Sequence, residues 1–161
     1  MNRKRKLYVR PKKAYEKSRI LEENIIVEKY GLKNKREVWR SQAKVDYFRR
    51  RAKSLAKSSA EEQQVFFGKL NAIGLNTNTI ADALALNVEK LLERRLPTIV
   101  VKKGLATTQK QARQMVVHKK IFIDGRAIDS PSYLVKIDEE NSISVKQSKP
   151  KPIKEVKQEQ A

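Results

Sequence analysis

The chain has 161 residues, 37 of them Lys or Arg and 18 Asp or Glu, for a formal net charge of +19. So much like charge opposes compaction and implies either an anionic partner, for which nucleic acid and membrane surfaces are the polyanions in reach, or strong selection for solubility. No apolar run of about 18 residues is present to span a bilayer. The basic start "MNRKRKLYVRPKK" lacks the apolar stretch of a secretory signal. Without cysteine the chain forms no disulfide or thiolate metal site, which fits a reducing cytoplasm.

The charge is unevenly placed. Residues 1–57 hold 20 basic and 6 acidic side chains, whereas residues 58–93 hold 2 and 5. Residues 94–145 hold 10 and 5, and residues 146–161 hold 5 and 2. Two basic regions flank a nearly neutral stretch, an arrangement that predicts two contact surfaces on one core.

In chain order, residues 1–13 read as a basic N-terminal extension. A helical N-terminal domain is expected over 14–93. Its first helix, "EKSRILEENIIVEKYGLKN", carries Leu21, Ile25 and Ile26 at helical spacing and stops at Gly31. A glycine there takes the left-handed conformation, and the following Leu32 folds back on the last turn. Asn34 with Glu37 has the spacing of an N-terminal cap. It opens "KREVWRSQAKVDYFRRRAKSLAK", residues 35–57. On a helical wheel Val38, Val45, Phe48, Ala52 and Leu55 share one face. Arg36, Arg40, Lys44, Arg50, Arg51 and Lys57 share the other, with only Glu37 and Asp46 available for pairing within the helix. A helix made for solubility alone interleaves its signs. Trp39, on the border of the cationic arc, is read first as a wedge between helices and second as a base-stacking residue. Ser59 with Glu62 opens the next helix, which ends at Gly74-Leu75 after Phe66, Leu70 and Ile73.

From residue 94 to 145 the pattern changes to a small module. Pro97 suits a first helical turn, Ile99 and Val100 face inward, and the helix ends with Lys102 and Lys103 before Gly104-Leu105. Thr108 with Gln111 caps a basic helix whose apolar stripe is Ala112, Met115 and Val116. "IFIDGRAI" predicts a hairpin about Asp124-Gly125, because both turn positions tolerate positive φ. "DSPSYLVK" reads as a loop, "NSISV" as a further strand, and 146–161 as a flexible basic tail. The fold class expected is α+β, mainly helical, with the helical part packed against the module.

The stretch "RRLPTIVVKKGLATTQKQARQMVVHKKIFIDGRAIDSPSYLV", residues 94–135, resembles the RNA-binding module named after the universal small-subunit ribosomal protein four. Matching elements are the R-L opening, G-L-A-x-T, the Q-A-R of the second helix, a terminal His, the hairpin turn and P-S-Y-L-V. "EKSR" at 16–19, "YGLKNKREVWR" at 30–40 and "VEKLLERRL" at 88–96 extend the resemblance to that ribosomal protein family in its archaeal and eukaryotic branch. It covers roughly residues 10–145. Pro97 and Lys119-Lys120 depart from the usual pattern, and no cysteine cluster is present, so no zinc site or other cofactor is carried over. The resemblance implies a structural protein that binds small-subunit ribosomal RNA at a helix junction of its 5′ domain early in assembly. It also implies small-subunit protein five as a neighbour, proximity to messenger RNA at its entrance, a link to decoding accuracy, and a place in the cytoplasmic small subunit.

The residues expected to touch RNA are Lys102, Lys103, Lys110, Arg113, Lys119 and Lys120 on the module, with Arg94 and Arg95 at its start. Gln111 and Gln114 offer amides to phosphate or ribose, although one of them can instead close the helix cap. His118, a lone histidine after an apolar run, is read first as a packing or hydrogen-bonding residue and second as an RNA contact. Tyr133 either covers the hairpin or stacks on a base. The second surface comprises Arg36, Arg40, Lys44, Arg49, Arg50, Arg51, Lys53 and Lys57. The chain is read as no enzyme: it offers no phosphate-cradling glycine loop, histidine–carboxylate set or thiol nucleophile, and no room for a separate catalytic domain. The alternative is a non-ribosomal factor that binds structured RNA. Membrane-surface binding is disfavoured by the modest apolar faces of the helices.

Overall fold

A computed structural model describes residues 6–146. Residues 1–5 and 147–161, which hold most of the expected basic tail and part of the N-terminal extension, lie outside the described residues. Two long helices begin the chain, α1 (Lys17–Lys29) and α2 (Lys35–Leu55), followed by α3 (Ala60–Ala72). Two short ones follow, α4 (Ile80–Leu84) and α5 (Val88–Glu93), then α6 (Leu96–Lys102) and α7 (Gln109–Val117). The chain then forms β1 (Ile121–Ile123), β2 (Arg126–Ala127), a one-turn helix α8 (Ile137–Glu140) and β3 (Ser144–Val145). The sheet is antiparallel with β1 central, Ile123 opposite Arg126 and Ile121 opposite Val145. This is the mainly helical α+β fold expected.

Three glycine-leucine stops close three helices in one way. The amide of Leu32 donates to Val27 O at 2.9 Å, that of Leu75 to Leu70 O at 3.1 Å, and that of Leu105 to Val100 O at 3.1 Å. The left-handed glycine before each leucine makes that reach possible, with φ of +57°, +83° and +72° at Gly31, Gly74 and Gly104. Lys119 does the same without a glycine, at φ +55°: the next amide, of Lys120, donates to Met115 O at 2.9 Å. A side chain in this region costs about 1 kcal/mol. Lys119→Gly is therefore expected to raise unfolding free energy by about 0.5–1 kcal/mol in urea titration. A drop in stability would mean that the lysine makes a compensating contact.

Of the three expected caps, only one forms at its side chain. Thr108 Oγ1 accepts the Gln111 amide at 3.2 Å, and Gln111 Oε1 accepts the Thr107 amide at 3.0 Å. Neither Asn34 nor Ser59 caps its helix with a side-chain bond. Thr79 and Asp82, not anticipated, form a reciprocal capping box at α4.

The buried side chains form three clusters. One is built entirely from residues 96–143, including Leu96, Ile99, Val100, Ala112, Val116 and Ile121. A second joins Val45, Phe48 and Ala52 of α2 to Leu70, Leu75, Ala83, Leu86 and Leu91, and the module's Leu134 packs against it. The third joins Tyr30, Leu32, Val38 and Leu92. The expected inward face of α2 is buried at all five positions.

Helix α1 sits differently from a simple amphipathic reading. Leu21 and Ile25 face solvent, and its one buried residue is Glu23. Glu23 Oε1 accepts from Arg19 at 2.6 Å and from the Trp39 indole at 2.9 Å, with Lys35 Nζ 3.6 Å from Oε2. Burial alone would raise the pKa of this carboxyl, but the Trp39 and Arg19 bonds and the nearby cations outweigh it and hold the pKa below its ordinary value. Trp39 thus wedges between α1 and α2, as expected.

Candidate nucleic-acid interface

The turn between α1 and α2 brings the helical part against the start of α7. At Gly31 a methyl group would lie 2.9 Å from Gln109 Cβ and 3.1 Å from the Lys110 amide nitrogen, so only glycine lets the segments approach. One turn into α2, Glu37 reaches across the same seam. Its Oε1 and Oε2 accept from the two terminal nitrogens of Arg113 at 2.8 and 3.0 Å, and Oε2 also accepts from Arg95 at 2.8 Å. Burial would raise the Glu37 pKa. The bonds from Arg113 and Arg95 prevail and hold it below the ordinary range, so the group stays ionised.

Arg94 and Arg95 therefore stand differently from their expected place at an RNA surface. Arg95 is 5% exposed and also donates to Pro131 O at 3.1 Å. Arg94 donates to Ile73 O at 2.7 Å, Val135 O at 3.2 Å and Glu140 at 3.0 Å, lying over Gly74 where a Cβ would strike its Nε. Both guanidiniums are taken up by the protein, because each lies where a helix end and a loop leave acceptors unmet. Arg113, though partly open, is engaged bidentately. Gln111 Oε1 serves the α7 cap, and its amide nitrogen donates to no group among the described residues. Arg49 donates to Leu86 O at 2.6 Å. Tyr133 packs on the module core and donates to Glu139 at 2.8 Å; burial and this bond push its phenol up to about 12.

Other predicted residues stay on the surface. Lys102 pairs with Glu93 at 3.3 Å, Lys103 donates to Glu140 O, and Lys119 lies 3.8 Å from Asp129. Gln114 and His118 are exposed, His118 ending α7. Lys110, Lys120, Arg36, Arg40, Lys44, Arg50, Arg51, Lys53 and Lys57 are exposed and make no ion pair among the described residues.

Arg36, Arg40 and Lys44 fall at four-residue intervals, one row along α2 facing the module. With Arg113 and Arg95 they line a cleft of about 490 Å³ closed by Leu91, Pro131 and Leu134. The Lys44 side chain as a whole is exposed, but the cleft walls desolvate its amine and lower its pKa. Of the expected residues, Arg36, Arg40 and Lys44 of α2 and Arg95 and Arg113 of the module line this cleft, and the others of both sets lie outside it. Lys6 and Arg10 extend the row beside Arg36. Neither they nor Glu37 stood among the sequence-predicted residues. The signal for Glu37 was present, as an acid in the first turn of a helix otherwise crowded with cations.

A family profile described as the S4 domain matches residues 94–141. Over 148 residues the chain is 47% identical to a small ribosomal subunit protein uS4 of Methanosphaerula palustris, covering 85% of this chain and 82% of that one. It is 46% identical over 152 residues to the uS4 of Methanothermobacter thermautotrophicus, covering 91% and 89%. The chain belongs to the uS4 family. A further member, from Hyperthermus butylicus, is 44% identical over 152 residues, covering 91% of this chain and 86% of its own. All three family members are archaeal, and the shared region takes in the α1–α2 half as well as the module.

Proposed function

We propose that the chain is a structural protein of the small ribosomal subunit in the cytoplasm, and not an enzyme. It binds ribosomal RNA through the row of cations beside the α2–module cleft. The observation that carries this reading is the row Arg36, Arg40 and Lys44, aligned and without an ion pair among the described residues, opposite a module whose Arg95 and Arg113 are already satisfied by Glu37. Cations left without protein partners neutralise phosphates and release counterions. A rigid spacing between the α2 row and the α7 cations Lys110 and Lys120 reads the shape of a folded junction, since A-form grooves offer shape and sugar edges rather than a base code. The same reading makes residues 94–145 the RNA-binding module and 14–93 its helical partner. It extends to the 5′ domain of the RNA, to early assembly, to protein five as neighbour, and to a position near incoming messenger RNA that bears on decoding accuracy.

Competition near 0.3 M salt between a 5′-domain fragment and an unrelated folded RNA of equal length tests the proposal. A preference of about a hundredfold, worth about 2.7 kcal/mol, is the expected result. Equal binding would favour a general structured-RNA factor instead. Replacing Arg36, Arg40 and Lys44 together with Ala is expected to reduce the slope of log affinity against log salt by about 2, with no loss of thermal stability. An unchanged slope would remove the α2 row from the interface.

A further inference from the structure

We infer that the pocket between the N-terminal segment and the start of α2 holds one unstacked nucleotide of ribosomal RNA. Its base lies on the Tyr8 ring, and the adjoining phosphates lie on Lys6, Arg10 and Arg36. This rests on the proposed RNA-binding role. Lys6, Tyr8 and Arg10 alternate along a segment outside any helix, and all three line one pocket of about 470 Å³ with Asn34, Arg36 and Trp39. Small-ligand sites span about 300–1,000 Å³. Lys6, Arg10 and Arg36 are exposed and make no ion pair among the described residues. Lys35, which also lines the pocket, is taken up by Ile20 O at 3.3 Å and Glu23 at 3.6 Å. Among the described residues no carboxylate lines this pocket. Glu22 and Glu23 border the adjoining cavity, on which Arg10 and Trp39 also open, and Glu37 is turned to Arg95 and Arg113.

Three cations alone would suit any anion, and the rings select among them. Tyr8 is half-buried, with its centroid 6.0 Å from that of Trp39 and the two planes 34° apart. The Trp39 indole N–H is spent on Glu23 at 2.9 Å, and Arg19 holds Glu23 in turn, so Trp39 is a fixed backing for the phenol. Anchoring the segment would account for the ring but not for unpaired cations on both sides of it. Leu7 and Val9 are 77% and 79% exposed, so apolar burial does not set this alternation. Asn34 makes no side-chain cap on α2 and keeps its amide for a base edge. Splayed bases stack on aromatic side chains while the strand's phosphates meet cations. Lipid headgroups and acidic peptides would use the cations and leave the ring without a planar partner.

The test uses the full chain with the 5′-domain fragment, combining base-specific chemical probing of the RNA with affinity measured across salt concentrations. Tyr8→Ala is expected to weaken binding about tenfold with an unchanged slope of log affinity against log salt, and to expose one or two bases that the parent protects. Tyr8→Phe, which keeps the ring, is expected to protect those bases. Tyr8→Leu, apolar but not planar, is expected to leave them exposed. Lys6→Ala with Arg10→Ala is expected to lower the slope by about 2. Protection retained in Tyr8→Ala or restored by Tyr8→Leu would overturn the nucleotide pocket, because a ring that only anchors the segment changes stability and no stacked base. Tyr8-dependent binding to anionic vesicles with an unchanged RNA footprint would overturn it in favour of a lipid site. Each of these results leaves the α2 row as the RNA surface. A parent chain with no preference for the 5′-domain fragment would overturn both readings.

Discussion

Glu37→Ala is expected to lower the unfolding free energy by about 3 kcal/mol, since removing one partner of a buried ion pair strands the other. Here one carboxylate serves two arginines. Arg95, at 5% exposure, would keep only the Pro131 carbonyl, and Arg113 would lose both of its bonds. The penalty is uncompensated charge in a seam that water enters poorly. Glu37→Gln, which keeps the shape and loses the charge, should fall between the two. Urea titrations at neutral pH measure this; a Glu37→Ala chain as stable as the parent would show that the arginines find other acceptors at no cost.

The same carboxylate sets a direction in pH. Its folded pKa lies below the ordinary 4.5, so its contribution is fully present above that value and is lost as pH falls through the folded pKa. Glu23 behaves alike. The parent should therefore lose stability on acidification below about pH 4.5, and Glu37→Gln should show a shallower acid limb because the Glu37 part is gone while those of Glu23 and Asp82 remain.

Gly31→Ala is the second large effect, at about 3 kcal/mol. A side chain at φ +57° costs about 1–2 kcal/mol, and forcing a methyl into closed packing adds about 1–3 kcal/mol. The atoms in the way include the Gln109 carbonyl carbon and the Lys110 nitrogen, both backbone at 3.1 Å, so no rotamer change relieves the contact. Relief requires α7 to withdraw from the α1–α2 turn, which pulls Arg113 from Glu37 and puts the α2 row and the module's cations out of register. RNA affinity should accordingly fall along with stability. Gly104→Ala is the control: it shares the positive φ and meets nothing within 4 Å, so about 1 kcal/mol is expected. Equal losses at the two glycines would deny the close approach at Gly31.

Local features were legible in the residues because they repeat within a few positions. The buried row Val38, Val45, Phe48, Ala52 and Leu55, the three glycine-leucine stops and the Asp124-Gly125 hairpin all follow from spacing alone. So does the outward row Arg36, Arg40 and Lys44. Long-range polar pairing has no such period. Glu37 finds Arg95 and Arg113 at separations of 58 and 76 residues, and Trp39 finds Glu23 at 16, so neither the seam nor the inward turn of Glu23 on α1 could be read. Counting cations also treats a guanidinium as free until its partner is known, which is why Arg94 and Arg95 were read as surface residues. Helices α4, α5 and α8 are too short to display two turns of periodicity.

The order in which Glu37 and its partners are synthesised gives the seam a timetable. At about 5–20 residues per second, Arg113 follows Glu37 out of a translating ribosome by about 4–15 s. Until then the first helices of a nascent chain hold a carboxylate aimed at empty water, and the turn at Gly31 has no helix to lie against. The module, whose buried cluster draws only on residues 96–143, can close as soon as its own last strand is made. The buried cluster of the earlier half, drawn from residues 45–91, can also close on its own, so the Glu37 seam is the joint between two parts made in turn, and it is completed only when Arg113 has been made.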